Sequence, residues 1–306
     1  MSRLAVVTAT IDYQRARSCL ESWRDRSTGQ LDYYVLQQEE VASPWELLDS
    51  TAEGRLFAAG HAQILGVVPA FAIGVQRALE DGAEIIACLH DDLDIEEDGW
   101  DEKVLWWFDT HATCGLAGFG GAKGLGSDDL YRSPYNPMQL ARQDFVSNMR
   151  HAEAHGRRAT SQGDWRWPLA AERVACLDGF SQIGRAEFWK GYPDRNLANG
   201  PNLFQVMQQW GLIHHAYDAA LGCFAARLGW EAWMLPIACH HYGGRTAVMD
   251  SRYQQWADAE RDKKQLGLKP PFVPWEGTGD QLFWTEAHQI VYREFRDVLP
   301  VRTGER

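Results

Sequence analysis

Glu84-Ile85-Ile86-Ala87-Cys88-Leu89-His90-Asp91-Asp92-Leu93-Asp94-Ile95 is the stretch on which the reading of this chain turns. Residues 85–89 are apolar and read as a buried strand. The chain then delivers His90, Asp91, Asp92 and Asp94 just past the carboxyl end of that strand, where an open α/β sheet places its ligand. Three carboxylates within four positions repel one another, and a divalent cation neutralises such crowding. The same residues also fit a solvated acidic turn before a helix starting near Gly99, because Glu96, Glu97 and Asp98 continue the run and acidic residues favour helix starts.

Upstream, Leu4 to Thr10 is apolar on both sides, as expected of a central parallel strand covered by helices, and ends at the small polar groups Thr8, Thr10 and Asp12. Tyr13 to Arg24 carries Ala16, Cys19, Leu20 and Trp23 at helical spacing, and Leu31 to Leu36 is a second strand. This βαβ start predicts a doubly wound sheet. Gln37 to Gly66 has a weak pattern and reads as a long loop with a short helix around Trp45 to Leu48. Val67 to Gly82 is a helix with Phe71, Val75 and Leu79 on one face and Gly82 as its C-cap.

The chain has 306 residues, 45% of them hydrophobic, which suffices for one large α/β domain or two smaller ones. No window approaches the run of about 18 apolar residues that a membrane span needs, and the N-terminus has no signal-peptide pattern, so a soluble cytoplasmic protein is expected. Six cysteines without CxxC spacing read as reduced core residues. A net charge of −12 argues against general attraction to nucleic acid or anionic membrane. The fourteen tryptophans suit either cores or flat platforms for sugars and bases.

Downstream, Trp100 to His111 has a helical apolar face of Val104, Leu105, Trp107 and Phe108. The Gly-rich run 114–126 lacks the GxxxxGK[ST] order of a phosphate loop and reads as a strand followed by a flexible loop. Residues 126–173 are irregular and locally basic, with a helix expected from Met138 to His155. There, arginines alternate with aromatics including Trp165 and Trp167, a composition that grips phosphates and stacks rings, although the tryptophans could equally pack back on the domain. Val174 to Leu177 is a short strand ending at Asp178-Gly179, followed by a helix at 186–189. His214-His215-Ala216-Tyr217-Asp218 leads into an apolar helix at 219–228 with Gly229 as C-cap, and Trp233 to Cys239 is a last strand ending at His240-His241. Two amphipathic helices, about 247–266 and 280–299, complete the chain.

In order and spacing these stations resemble the glycosyltransferase family two superfamily with the GT-A fold, from about Leu4 to Gly244. The resemblance rests on LAVVTAT with Asp12, AFAIGVQRALEDG, CLHDDLDI in the place of the DxD motif, ACLDGFSQIGRAEF, HAYDAALGCFAARLGWEAWMLP and the closing HHYGG. Two departures stand out. Ala72 replaces the Asn usual before the helix glycine, and both His90-Asp91-Asp92 and Asp92-Leu93-Asp94 can be laid on the DxD. The resemblance implies an α/β fold of GT-A type, a mostly parallel doubly wound central sheet flanked by helices over residues 1–244. Residues 126–173 would be an insertion and 245–306 a helical C-terminal extension.

The implied activity is metal-dependent, inverting transfer of a sugar from a nucleoside-diphosphate sugar, UDP-sugars favoured, to an acceptor hydroxyl. Mn²⁺ or Mg²⁺ would sit on Asp92, Asp94 and one of His240 and His241, His240 preferred, and Asp218 would be the general base, preceding a helix whose positive end favours a carboxylate. Thr8, Thr10, Asp12, His90 and Asp91 would meet the donor; Asp178, Gly179, Trp165 and Trp167 would meet the sugar or acceptor. The acceptor could be a saccharide, a small molecule or a hydroxylated base of modified DNA. A non-catalytic carbohydrate-binding module and a nucleotidyltransferase are the competing readings.

Overall fold

The computed structural model describes residues 3–51, 54–126, 142–147, 149–151, 170–191, 200–243, 250–266 and 275–303. Leu4–Thr10 forms the buried strand β1. Asp12 then caps helix α1 (Tyr13–Asp25), its carboxylate accepting from the amides of Gln14 and Arg15. Ala16, Cys19, Leu20 and Trp23 form the buried face, as their spacing predicts. Strand β2 (Leu31–Gln38) pairs parallel with β1.

Residues 43–61 correct the expectation of a loop with a short helix: Ser43–Thr51 (β3) and Gly54–His61 (β4) are strands. β4 pairs parallel with β2, and β3 lies antiparallel on the outside of β4 with register breaks between Ser43 and Glu46 and between Leu47 and Asp49. β3 is exposed along most of its length, so it lacks the buried alternation that marks a strand in sequence. Helix α2 (Val67–Glu80) ends as expected near Gly82, which takes a left-handed φ of 81° one residue past the cap. The amides of Gly82 and Ala83 return to the carbonyls of Leu79 and Ala78, closing a Schellman motif.

Strand β5 (Ile85–Leu89) pairs parallel with β1 on the side away from β2, so the chain reverses its direction of winding between them. Leu93–Ile95 makes the short β6 and Trp100–Thr110 the helix α3. Cys114–Gly118 (β7) is a strand as expected. Gly120–Leu125 (β8) is a strand too and not a flexible loop, because it carries partners on both edges. The expected helix at 138–155 is overturned over its described part. Arg142–Ser147 (β9) pairs with β8, and Met149–His151 (β10) pairs with a strand near the end of the domain.

Glu172–Val174 (β11), Cys176–Leu177 (β12) and Ser181–Arg185 (β13) follow, then helices α4 (Ala186–Trp189), α5 (Leu203–Gln209) and α6 (Tyr217–Leu228). The last expected strand is two: Glu231–Met234 (β14) and Cys239–His241 (β15). Helices α7 (Ser251–Gln265) and α8 (Gly279–Glu294) and the short β16 (Val301–Arg302) close the chain.

The central sheet has nine strands in the order β11-β14-β7-β13-β5-β1-β2-β4-β3. β13 is antiparallel to both β5 and β7, and β11 and β3 run against their neighbours, so the other six strands share one direction. Alternation along the strands sends Ala5, Val7, Ile86 and Cys88 into a core with α2, α5, α6 and α8, and Leu4, Val6, Ile85, Ala87 and Leu89 into a second core with α1 and α3. Helices therefore cover both faces of a mostly parallel, doubly wound sheet, the expected fold class. Among the described residues no helix is long and apolar enough to cross a membrane.

Candidate active site

The loop leaving β5 is held rigidly before any side chain acts. His90 N donates to Phe180 O at 3.0 Å, Tyr242 N to Asp92 O at 2.9 Å, and Trp23 Nε1 to Leu93 O at 2.7 Å. The residues flanking β13 and β15, together with α1, thus fix the backbone at His90, Asp92 and Leu93, at the point where the winding reverses between β1 and β5, the crevice in which open α/β sheets bind ligands.

The carboxylates part company there. Asp91 turns toward the end of β1, where its Oδ2 accepts from Thr10 Oγ1 (2.6 Å) and from Arg15 Nη2 (2.6 Å) and Nε (3.2 Å). Burial raises the Asp91 pKa, and the Arg15 charge and the Thr10 hydrogen bond oppose it only in part. Asp94 takes a hydrogen bond from Tyr242 Oη at 2.7 Å. Asp92 turns inward: its Oδ1 lies 3.1 Å from His241 Nε2 and 3.8 Å from His90 Nδ1. Both Asp92 Oδ1 and His241 Nε2 are buried, and among the described residues neither has a hydrogen-bond partner outside this ion pair.

The expected trio of Asp92, Asp94 and His240 is therefore not the one brought together. Pairing of β15 with β6 sets His240 opposite Asp94 and His241 opposite Leu93, and successive strand residues face opposite ways. The His240 ring lies tilted against Tyr242, 4.3 Å between rings, whereas His241 stacks on Phe180 at 4.7 Å. One ligand atom each from His90, Asp92 and His241 falls within a 4.8 Å cluster.

The hydrogen bonds also assign the His90 tautomer. Tyr217 Oη donates its proton to Gly179 O at 2.9 Å and sits 2.5 Å from His90 Nε2, so it accepts from an Nε2–H. Burial lowers the His90 pKa despite the nearby Asp92, leaving the ring neutral. Its Nδ1 lone pair then faces the Asp92 carboxylate with no proton between them. Two acceptors converging in this way fit a cation, since ligands bound at about 2.1 Å lie about 3 Å apart when adjacent, and a metal-bound histidine commonly donates its other N–H as His90 does to Tyr217. For His241, burial alone would lower the pKa, yet the hydrogen bond to Asp92, followed by the charges of Asp92, Asp178 and Asp91, raises it overall; the same pair drives the Asp92 pKa down against its own burial.

Asp218 acts on His90 through its charge from the first turn of α6, where it is buried and its Oδ1 accepts from Ala219 N at 2.7 Å. The helix starts at a left-handed Ala216 (φ 58°), so Asp218 is the second helical residue and not the cap. Gly179 makes this possible: a Cβ there would stand 2.6 Å from Tyr217 Oη and 3.3 Å from Asp218 Oδ2, so the space left by its missing side chain is taken by Tyr217 and Asp218. Asp178 contributes its charge to both His90 and His241.

Asp12 is committed to capping α1, and Thr8 is buried within β1 with an unpartnered hydroxyl. Trp165 and Trp167 lie outside the described residues. Tyr217 and Arg15 are the participants that sequence reasoning missed, and His241 is the one it ranked behind His240. Arg15 alone left a signal, a basic residue in the first turn of a helix, against the macrodipole, which calls for a nearby carboxylate. A cavity of about 910 Å³ lined by Arg173, Trp230, Glu231, Asp297 and Arg302 contains none of these residues.

No protein-family model matches the sequence. No curated protein matches it either. Among solved structures, the chain is similar to S. aureus TarS 1-349 in complex with UDP-GlcNAc, at 10% identity, covering 95% of this chain and 71% of that one with a TM-score of 0.47. A second crystal structure of S. aureus TarS matches at 9% identity over 88% of this chain and 41% of that one, TM-score 0.45. A197 from STIV matches at 12% identity over 79% and 86%, TM-score 0.36. At these identities and TM-scores what this chain does has to be read from its own side chains.

Proposed function

We propose that this chain is a metal-dependent glycosyltransferase of inverting type, using a nucleoside-diphosphate sugar as donor. The observation that carries the reading is the opposition of the neutral His90 Nδ1 and Asp92 Oδ1, with His241 Nε2 3.1 Å from the same oxygen, at the winding reversal of the sheet. Asp92, His90 and His241 would hold a divalent cation, and two imidazoles in the set favour Mn²⁺ over Mg²⁺. When bound, that cation supplies charge neutralisation for the departing nucleoside diphosphate.

The protein's own groups do the rest. Asp218 takes the proton of the acceptor hydroxyl as it attacks the anomeric carbon, and Tyr217 and Gly179 fix its position. Asp178 is placed to receive hydrogen bonds from sugar hydroxyls. Thr10 and Arg15 hold Asp91 at the end of β1, where the nucleoside side of the donor would lie beside Asp12. Asp94 and His240 supply the outer face of the β6–β15 ladder, one step removed from the cation.

The test is release of nucleoside diphosphate from a panel of nucleotide sugars, UDP-GlcNAc first, with Mn²⁺ present. Wild-type protein should turn over a donor, and Asp92→Asn should lose at least about 100-fold, given the several kcal/mol that a bound cation supplies. Undiminished turnover in Asp92→Asn, or pyrophosphate as the product, would overturn the proposal.

A further inference from the structure

His214 and His215 lie on the turn between α5 and α6, and Asp280 lies in the first turn of α8. One ring nitrogen of each histidine and one Asp280 oxygen fall within 4.8 Å of one another. His215 Nε2 is 2.7 Å from Asp280 Oδ1, and Tyr253 Oη from α7 donates to the same oxygen at 2.6 Å. The His214 ring packs 4.7 Å from both the His215 and Tyr253 rings, and its Nδ1 is buried with no hydrogen-bond partner. That orphaned nitrogen is the second, independent sign of a ligand, because a buried polar atom without a partner is costly and seldom left so.

The supports of the cluster are already ordered. Ile213 O accepts from Val68 N at 3.0 Å, and Thr278 and Gln281 form a capping box around the start of α8. The Tyr253 hydroxyl orients the Asp280 carboxylate as a group one bond removed from a metal commonly does. Burial pushes the His214 pKa well below the ordinary histidine value, with repulsion from His215 adding to it, so the ring is neutral and its lone pair is available. Two imidazoles and one carboxylate are a donor set suited to Zn²⁺, with a further position left open.

We propose that His214, His215 and Asp280 form a second metal site, for Zn²⁺ or a similar transition ion, that ties the C-terminal helices to the turn entering α6. It stands independently of the cation held by Asp92. Its functional weight comes from position: His214 and His215 precede the left-handed Ala216 that launches Asp218, so an ion here fixes the start of the helix that carries it.

Crystals of the wild-type protein grown with Zn²⁺ and measured at the zinc edge test this directly. An anomalous peak bridging His214, His215 and Asp280 is expected. A peak confined to Asp92, or no peak, overturns the proposal, the first leaving the other cation site intact. In solution, Zn²⁺ should raise the melting temperature of the wild type more than that of His214→Gln and Asp280→Asn; equal shifts in all three would also overturn it.

Discussion

Asp218 and His241 are the residues whose chemistry can be separated most cleanly. Asp218→Asn keeps the volume of the side chain and removes its basicity. The expected outcome is a fall in kcat of about 10²–10⁴-fold, the usual range for a general base, with donor binding by calorimetry little changed. For His241 the sign follows from its raised pKa. In cation-free protein the protonated ring paired with Asp92 stabilises the fold fully below about pH 6.5, the ordinary histidine value, and that contribution is lost as pH rises through the raised folded value. A cation needs the neutral ring, so Mn²⁺ and the proton compete. Melting curves with EDTA and with Mn²⁺, from about pH 5.5 to about 8.5, should show a Mn²⁺-induced gain that grows with pH over this window; a gain that shrinks would count against His241 as a ligand. At this scale the sequence was informative where chemistry is local. Asp92 could be picked from the strand end, but His241 could not, because the choice between two adjacent histidines is made by a pairing with β6 almost 150 positions away.

Elements were legible where one periodic face is buried. Helix α1 buries the four residues that its spacing names, and β1 and β5 announce themselves as short apolar runs. β3 and β4 were missed because the outer strand of a sheet is wetted on its surface and β4 is rich in Gly and Ala, so neither presents an alternating stripe. The packing between elements is also checkable. Gly74 sits where α2 crosses β1, and a Cβ there would stand 2.3 Å from Val7 Cγ1. Helix propensity alone would make Gly74→Ala stabilising by about 1 kcal/mol, but overpacking costs about 1–3 kcal/mol. The clash should win, and urea unfolding should show a net loss on the order of 1 kcal/mol.

For the molecule as a whole, the C-terminal helices are not an appendage. Val291 and Phe295 are fully buried in the largest core, and Phe295 meets Phe224 edge-on at 4.8 Å and Trp210 at 5.7 Å. Phe295→Ala should cost about 3–5 kcal/mol in denaturant unfolding, far more than a helix merely laid on the surface could lose. The resemblance covered only residues up to about 244, and no composition change marks the following segment as part of the core; only its contacts do.

At the far border of the sheet, β3 turns its outer edge away from β4 and exposes Leu47 at 54% and Leu48 at 53%. An uncovered strand with apolar side chains invites another molecule to add itself to the sheet. The two register breaks interrupt the row of amides that such an addition would need, Pro44 has no N–H to offer, and Glu46 and Asp49 place charge along it. The irregularity of one nine-residue strand thus makes this border a poor template for a further strand.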